Sequence, residues 1–271
     1  MQRSGGIDLF KTLDVRKLPN PILIIAPHPD DDILSSGGLI QRALKAGKMI
    51  YVLYLTTGDG YDGAVQNFLH LPTVSSSFIR LGFLRHQEAI NAENLLGVPR
   101  NHLFFLCFPD TACLKIVKNS NPNKIVRSPK THLTTAAYPF AYQTNAPYSK
   151  ASAFRLMREV IERVKPGTII LNRPEDTNPD HRAARNLLLA ALQQSKLRSF
   201  LLSYLIHFPH WGRKIFLPPL RLQKGTIFQL KLTHQEFARK RRAFELHQSE
   251  FLDRFRVHPI EFFWLGANRI T

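Results

Sequence analysis

The feature that most constrains this chain is a repeated alternation of short apolar runs with longer segments of helical periodicity. Pro21 to Ala26 (PILIIA) is too short for a helix and has no polar face to leave in water, so it reads as a buried strand. Gly37 to Ala46 follows as a helix, closed by Gly47. Met49 to Thr57 reads as the second strand, ended by Gly58-Asp59-Gly60. A polar loop to about Ser77 leads to a helix from Leu84 to Leu96, stopped by Gly97-Val98-Pro99, and His102 to Phe108 is the third strand. Beyond an irregular stretch come a helix over Lys150 to Val164, a strand over Thr168 to Asn172, a helix over His181 to Gln193 and a strand over Leu201 to His207. The tail holds a proline-rich turn at Leu217 to Leu220, a strand near Thr226 to Leu230 and a basic helix from His234 to His247.

Parallel strands need long crossovers, and the helical segments supply them. The alternation therefore predicts an α/β fold: a Rossmann-like three-layer sandwich with a mostly parallel sheet and helices on both faces. With no internal repeat, residues 1–271 are expected to form a single domain, its core over about 20–210 and a strand/helix extension over 211–271. The stretch Pro109 to Tyr148 is rich in Pro, Asn, Ser and Thr. It is longer than a simple connection needs, which suits an active-site lid or a binding insertion.

Chemistry concentrates at two strand ends. The first strand runs directly into Ala26-Pro27-His28-Pro29-Asp30-Asp31-Asp32. In open α/β sheets ligands bind outside the carboxyl ends of the strands. Neighbouring carboxylates repel there, and a divalent cation is the usual compensation. Helix capping explains one aspartate but not three preceded by His-Pro. The fourth core strand ends in a second polar cluster, Asn172-Arg173-Pro174-Glu175-Asp176-Thr177-Asn178-Pro179-Asp180-His181. Both clusters should face one edge of the sheet. His28, an aspartate of the first cluster and His181 then make a nitrogen-and-oxygen ligand set, and three protein ligands with an open fourth position is how catalytic zinc is held. An aspartate next to His181 would fix its tautomer.

These segments resemble the signatures of the PIG-L/LmbE-like N-acetylglucosaminyl deacetylases. Pro27-His28-Pro29-Asp30-Asp31-Asp32 is similar to the family's Ala-His-Pro-Asp-Asp-Glu, and Asn178-Pro179-Asp180-His181 to its His-Pro-Asp-His. Weaker matches run in the expected order: Thr56 to Gly60, Arg85-His86-Gln87-Glu88-Ala89, and Phe108-Pro109-Asp110, with fainter echoes at Arg242 to Ser249. The resemblance implies a Zn2+-dependent hydrolase removing the acetyl group from an N-acetylglucosamine-type conjugate. It implies His28, Asp31 and His181 as metal ligands and Asp30 as general base. Arg85 and Asp110 are implied as substrate contacts, with a salt bridge to Glu88 as the alternative for Arg85. Asp32 and Asp180 fall in supporting positions behind the ligands.

Two positions depart from the family pattern. Asp32 replaces a longer Glu. Asn178 replaces the first histidine of the second motif; an amide can donate a hydrogen bond to the reacting group but delivers no proton at neutral pH. Either Asp30 handles both proton transfers, or another group supplies the acid, with His207 and His210 after the last core strand as the candidates, or the activity is weakened or altered.

The remaining question is charge. Lys and Arg number 37 against 20 Asp and Glu, a net charge of +17, which draws polyanions. The basic residues are scattered apart from Arg239 to Arg242, and no zinc-finger, RNA-recognition or basic-zipper spacing occurs, so no specific nucleic acid is expected. The expected partner is a small-molecule or lipid-linked amino sugar, with peripheral contact to an anionic membrane compatible with the charge. The competing readings are a basic polyanion- or membrane-surface binder with a weakened or structural metal site, and a magnesium site for phosphoryl transfer, against which the two histidines argue. Two cysteines, no apolar leader segment and no long apolar span lead to the expectation of a cytoplasmic protein.

Overall fold

The computed structural model describes residues 10–209, 217–250 and 257–266. Its strands are β1 (Lys11–Thr12), β2 (Ile22–Ala26), β3 (Ile50–Thr56), β4 (Leu103–Phe108), β5 (Thr168–Asn172), β6 (Phe200–Tyr204), β7 (Ile227–Lys231) and β8 (Ile260–Leu265). The α-helices are α1 (Asp31–Lys45), α2 (Ser75–Leu96), α3 (Cys113–Val117), α4 (Lys150–Val164), α5 (Pro179–Ser195) and α6 (His234–Glu245).

The strands form one sheet in the order β1-β7-β8-β6-β5-β2-β3-β4, in which only β8 runs antiparallel to its neighbours. Every residue of β2, β4 and β5 is buried. That is what a parallel sheet covered on both faces demands, and it is why these strands read as unbroken apolar runs. Helices α1, α2 and α6 pack together, and α3, α4 and α5 form a second group. The result is the three-layer sandwich that the alternation predicts.

Two helices begin earlier than the apolar pattern suggests. α1 starts at Asp31, not Gly37, and α2 at Ser75, not Leu84. The polar residues of both first turns hid the starts. The irregular stretch Pro109 to Tyr148 contains the short α3 and otherwise lacks regular structure. Its Tyr142 N–H donates to the carbonyl of Phe105 at 2.7 Å, covering the β4 edge that would otherwise offer unpaired backbone groups.

The C-terminal elements are stitched into the core. β8 inserts between β6 and β7, a strand absent from the sequence reading, as is the two-residue edge strand β1. Glu261 of β8 accepts the N–H groups of Gly38 and Leu39, at 2.6 and 2.8 Å, in the middle of α1. Lys240 of α6 reaches Glu261 at 2.7 Å and the Leu34 carbonyl at 3.0 Å. This ion pair is buried, and the backbone partners satisfy the groups that burial would leave costly. Cys107 and Cys113 are free thiols, and among the described residues no helix is long and apolar enough to cross a membrane.

Candidate active site

The sheet order reverses around β2, whose neighbours β3 and β5 lie on opposite sides. Such a switch point leaves a crevice at the carboxyl ends of the two central strands. Here it is a cavity of about 310 Å³ whose lining includes His28, Asp30, Asp31, Arg85, Asp110, Asn178 and His207.

The turn after β2 supplies the first cluster. Asp30 occupies the N-cap position of α1 at φ 127°, a conformation rare for any residue with a side chain, and its carboxylate makes no capping bond. Capping therefore does not account for Asp30. Such backbone strain costs about 1–3 kcal/mol and persists only where the surroundings hold it. Burial, Asp31 and Glu250 push the Asp30 carboxyl well above its usual range, with Arg85 and His28 pulling the other way.

Asp31 and the two histidines converge. Asp31 Oδ2 lies 3.3 Å from His28 Nδ1 and 3.1 Å from His181 Nε2. Ligand atoms of His28, Asp31 and His181 all fall within 4.8 Å of one another, and all three residues are buried. Each imidazole turns its other nitrogen to a carboxylate. His28 Nε2 faces Asp110 Oδ1 at 3.3 Å and Asp180 Oδ2 at 3.6 Å, and His181 Nδ1 faces Asp176 Oδ2 at 3.0 Å. Carboxylates in such positions fix the tautomer and strengthen a metal-ligating histidine. Burial opposes a charged His181, but Asp31 and Asp176 outweigh it and raise the imidazole to about 9. Asp110, Asp180 and Asp31 likewise outweigh burial at His28 and hold it well above its usual range. The carboxylates thus demand positive charge, which protons or one divalent cation can supply. The donor set fits a cation of nitrogen-and-oxygen preference.

His28, Asp110 and Asp180 form a second cluster with metal-ligand spacing. Its carboxylates already take backbone donors: Asp110 from Gly60 at 3.0 Å, and Asp180 from Thr111 and Cys113 at 2.6 and 3.0 Å. We assign it to orienting His28.

Several residues stand elsewhere than the sequence reading suggested. The carboxylate at His181 is Asp176, not the adjacent Asp180; Asp176 also accepts from the backbone of Asn178, Ile206 and His207. Arg85 does not pair with Glu88. Its guanidinium donates to the Gly58 and Pro29 carbonyls at 2.8 and 2.9 Å, meets Glu250 at 2.7 Å and lies 3.8 Å from Asp30. It braces the strained turn as well as lining the cavity. Gly58, at φ +66°, allows this approach, since a Cβ there would collide with the guanidinium. Asp32 is fully buried, accepting from Tyr54 Oη at 2.6 Å and from the Asp30 N–H at 3.3 Å. Burial and the neighbouring Asp32 push the Glu93 carboxyl well above its usual range.

Asn178 caps α5, its Oδ1 accepting the Asp180 N–H at 2.8 Å, with Pro179 at the first helical position. His207 packs edge-on against His181, and burial together with His181 lowers its imidazole to about 4, so it is neutral at pH 7. His210 lies outside the described residues. Glu250 and Tyr61 also line the cavity without having been singled out from sequence.

The model of the family described as "PIG-L: GlcNAc-PI de-N-acetylase" matches residues 23–192, more than half of the chain. The protein belongs to the PIG-L family. The PIG-L match contains both clusters, whereas His207 and Glu250 lie beyond it. A 1D-myo-inositol 2-acetamido-2-deoxy-alpha-D-glucopyranoside deacetylase of Rhodococcus opacus (strain B4) is 26% identical over 66% of this chain and 55% of its own length. The chain thus spans about half the length of the relatives of this type that it matches. Among solved structures, the A40926 pseudoaglycone deacetylase aligns with a TM-score of 0.60 at 17% identity, covering 91% of this chain and 97% of that one. A 4-carboxy-2-hydroxymuconate hydratase from Pseudomonas putida KT2440 aligns with a TM-score of 0.55 at 15% identity, over 93% and 98%. These structural likenesses are of fold, and one fold carries more than one chemistry.

Proposed function

We propose that the chain is a zinc-dependent N-deacetylase that hydrolyses the acetamide of an N-acetylglucosamine-type conjugate, small or lipid-linked. The observation that carries this reading is the convergence of His28, Asp31 and His181 on one another, with His28, Asp31 and the uncapped carboxylate of Asp30 lining one cavity. Family membership and the deacetylase activity named for the Rhodococcus relative support it. Two nitrogens and one carboxylate suit zinc better than magnesium, which prefers oxygen.

A bound zinc supplies Lewis acidity, polarising the acetamide carbonyl and acidifying water. Asp30, raised by burial, takes the proton of the attacking water and then delivers it to the departing amine nitrogen. Arg85 holds the Asp30 turn through the Pro29 and Gly58 carbonyls. Asn178 spends its carbonyl on the helix cap, which leaves its NH2 end as a donor toward the developing oxyanion. His207, lowered to about 4 by burial and His181, is uncharged near neutral pH and does not serve as the acid. Acetate and a free amino sugar are the products.

The test is acetate release from a panel of N-acetylglucosamine conjugates, with metal-stripped and zinc-reconstituted protein. Release that chelation abolishes and zinc restores is expected. A zinc-loaded protein that hydrolyses no member of the panel overturns the reading.

A further inference from the structure

Glu250 belongs to none of the strand-end motifs, yet its carboxylate reaches the cavity. It closes the turn Gln248–Glu250 that follows α6. The turn is pinned by Glu88 of α2, which accepts the Ser249 N–H at 2.9 Å and the Ser249 Oγ–H at 2.6 Å. That anchorage delivers Glu250 Oε1 to 2.7 Å from Arg85 Nη2, with the Glu250 side chain only 11% exposed. Among the described lining residues Arg85 is the sole Arg or Lys, while Asp30, Asp31, Asp110 and Glu250 all contribute carboxylates. Of these four, Glu250 makes the closest approach to the guanidinium, at 2.7 Å against 3.8 Å for Asp30.

We infer that Glu250 determines substrate specificity: by cancelling Arg85 it makes the cavity accept neutral amino sugars and reject those carrying phosphate or carboxylate close to the acetamide. The inference rests on the deacetylase reading for its reaction, but not for its electrostatics. Without Glu250 the cavity has one carboxylate fewer, and the side of Arg85 Nη2 that Glu250 occupies is open to an anion while the Gly58 and Pro29 carbonyls keep their bonds. With Glu250 in place an anion meets a carboxylate where it would otherwise meet the guanidinium. The +17 of the whole chain does not undo this. Surface charges beyond about 8 Å are screened at physiological salt, whereas cavity charges meet the substrate directly.

The experiment uses zinc-loaded protein with N-acetylglucosamine and N-acetylglucosamine 6-phosphate, reading kcat/KM for acetate release and, separately, equilibrium affinity by calorimetry. Glu250→Gln keeps an acceptor for Arg85 and removes the charge. It should shift both ratios toward the phosphorylated sugar by roughly tenfold or more. Glu250→Asp, which keeps the charge, should hold the native preference, as should Glu245→Gln on the exposed face of α6. Ratios unmoved in Glu250→Gln, or equal losses on both sugars, overturn the inference. If neither sugar is hydrolysed by the unmodified protein, the conjugate panel decides the deacetylase reading, and the affinity ratio decides the role of Glu250.

Discussion

His181 Nδ1 and Asp176 Oδ2 lie 3.0 Å apart, both fully buried, and three backbone N–H groups hold the same aspartate in place. The pair presents His181 Nε2 toward Asp31, which lines the cavity. Asp176→Ala should therefore weaken metal binding about 10- to 100-fold, and Asp176→Asn, which still accepts a hydrogen bond, by less. Competition with a chromophoric chelator measures it. Native affinity in the folded Ala variant would show that the contact does not tune the ligand.

Asp30→Asn should retain the metal while losing on the order of 10²-fold or more in kcat, because it removes the proton acceptor and none of the ligands. Metal content by atomic absorption, alongside acetate release, separates the two effects. Near-native turnover would remove Asp30 from the mechanism.

Gly58→Ala should damage the site without replacing a charged residue. The added Cβ collides with Arg85, and φ +66° is itself unfavourable for alanine. Loss of about 1–3 kcal/mol of stability is expected, together with a fall in kcat as the Asp30 turn loses its brace. Chemical denaturation and turnover measure the two.

Asn178→Ala removes the α5 cap and should cost about 1 kcal/mol in a denaturation series. Asn178→His places an imidazole at the cavity wall, which should add an ionisation near neutral pH to the pH–rate profile and leave metal content unchanged. A profile identical to that of the native chain would mean that position 178 is remote from the proton transfers.

Buried His247 gives stability a pH dependence. Burial lowers its imidazole from 6.5 to about 4. The unfolded chain therefore binds the proton first as pH falls. Stability is fully present above about pH 6.5 and is lost progressively toward pH 4. His86, also lowered to about 4, acts in the same direction. His247→Phe should shrink the stability loss between pH 7 and pH 4.5 by on the order of 2 kcal/mol. An unchanged loss would mean that His247 charges as readily in the native state as in the unfolded chain.

Much of the fold was legible because the signals were local. β5 and α4 match the sequence reading residue for residue, since an apolar run between Pro166-Gly167 and a polar cluster leaves little alternative. β8 escaped because its partners are remote: Leu265 pairs with Leu202, and Phe263 with Phe228. The true start of α1 escaped because its first turn is made of the acids themselves, which carry no helical periodicity. Asp180 was the natural choice of partner for His181 by adjacency. On a helix, however, the preceding residue points away from its neighbour, and Asp176, before the first turn, meets the ring instead.

The amino-acid order by itself determined strands β2 to β7 and the polar clusters at the carboxyl ends of β2 and β5, because strand length and turn residues are properties of short segments. The tertiary structure alone decided that Glu250 neutralises Arg85, that Glu261 and Lys240 enter the middle of α1, and that each imidazole has a carboxylate behind it. These contacts join residues separated by anything from 5 to 223 positions, as Asp176–His181 and Gly38–Glu261 show. Only closure of the sheet, driven by burial of its apolar strands, brings the distant ones within hydrogen-bonding reach.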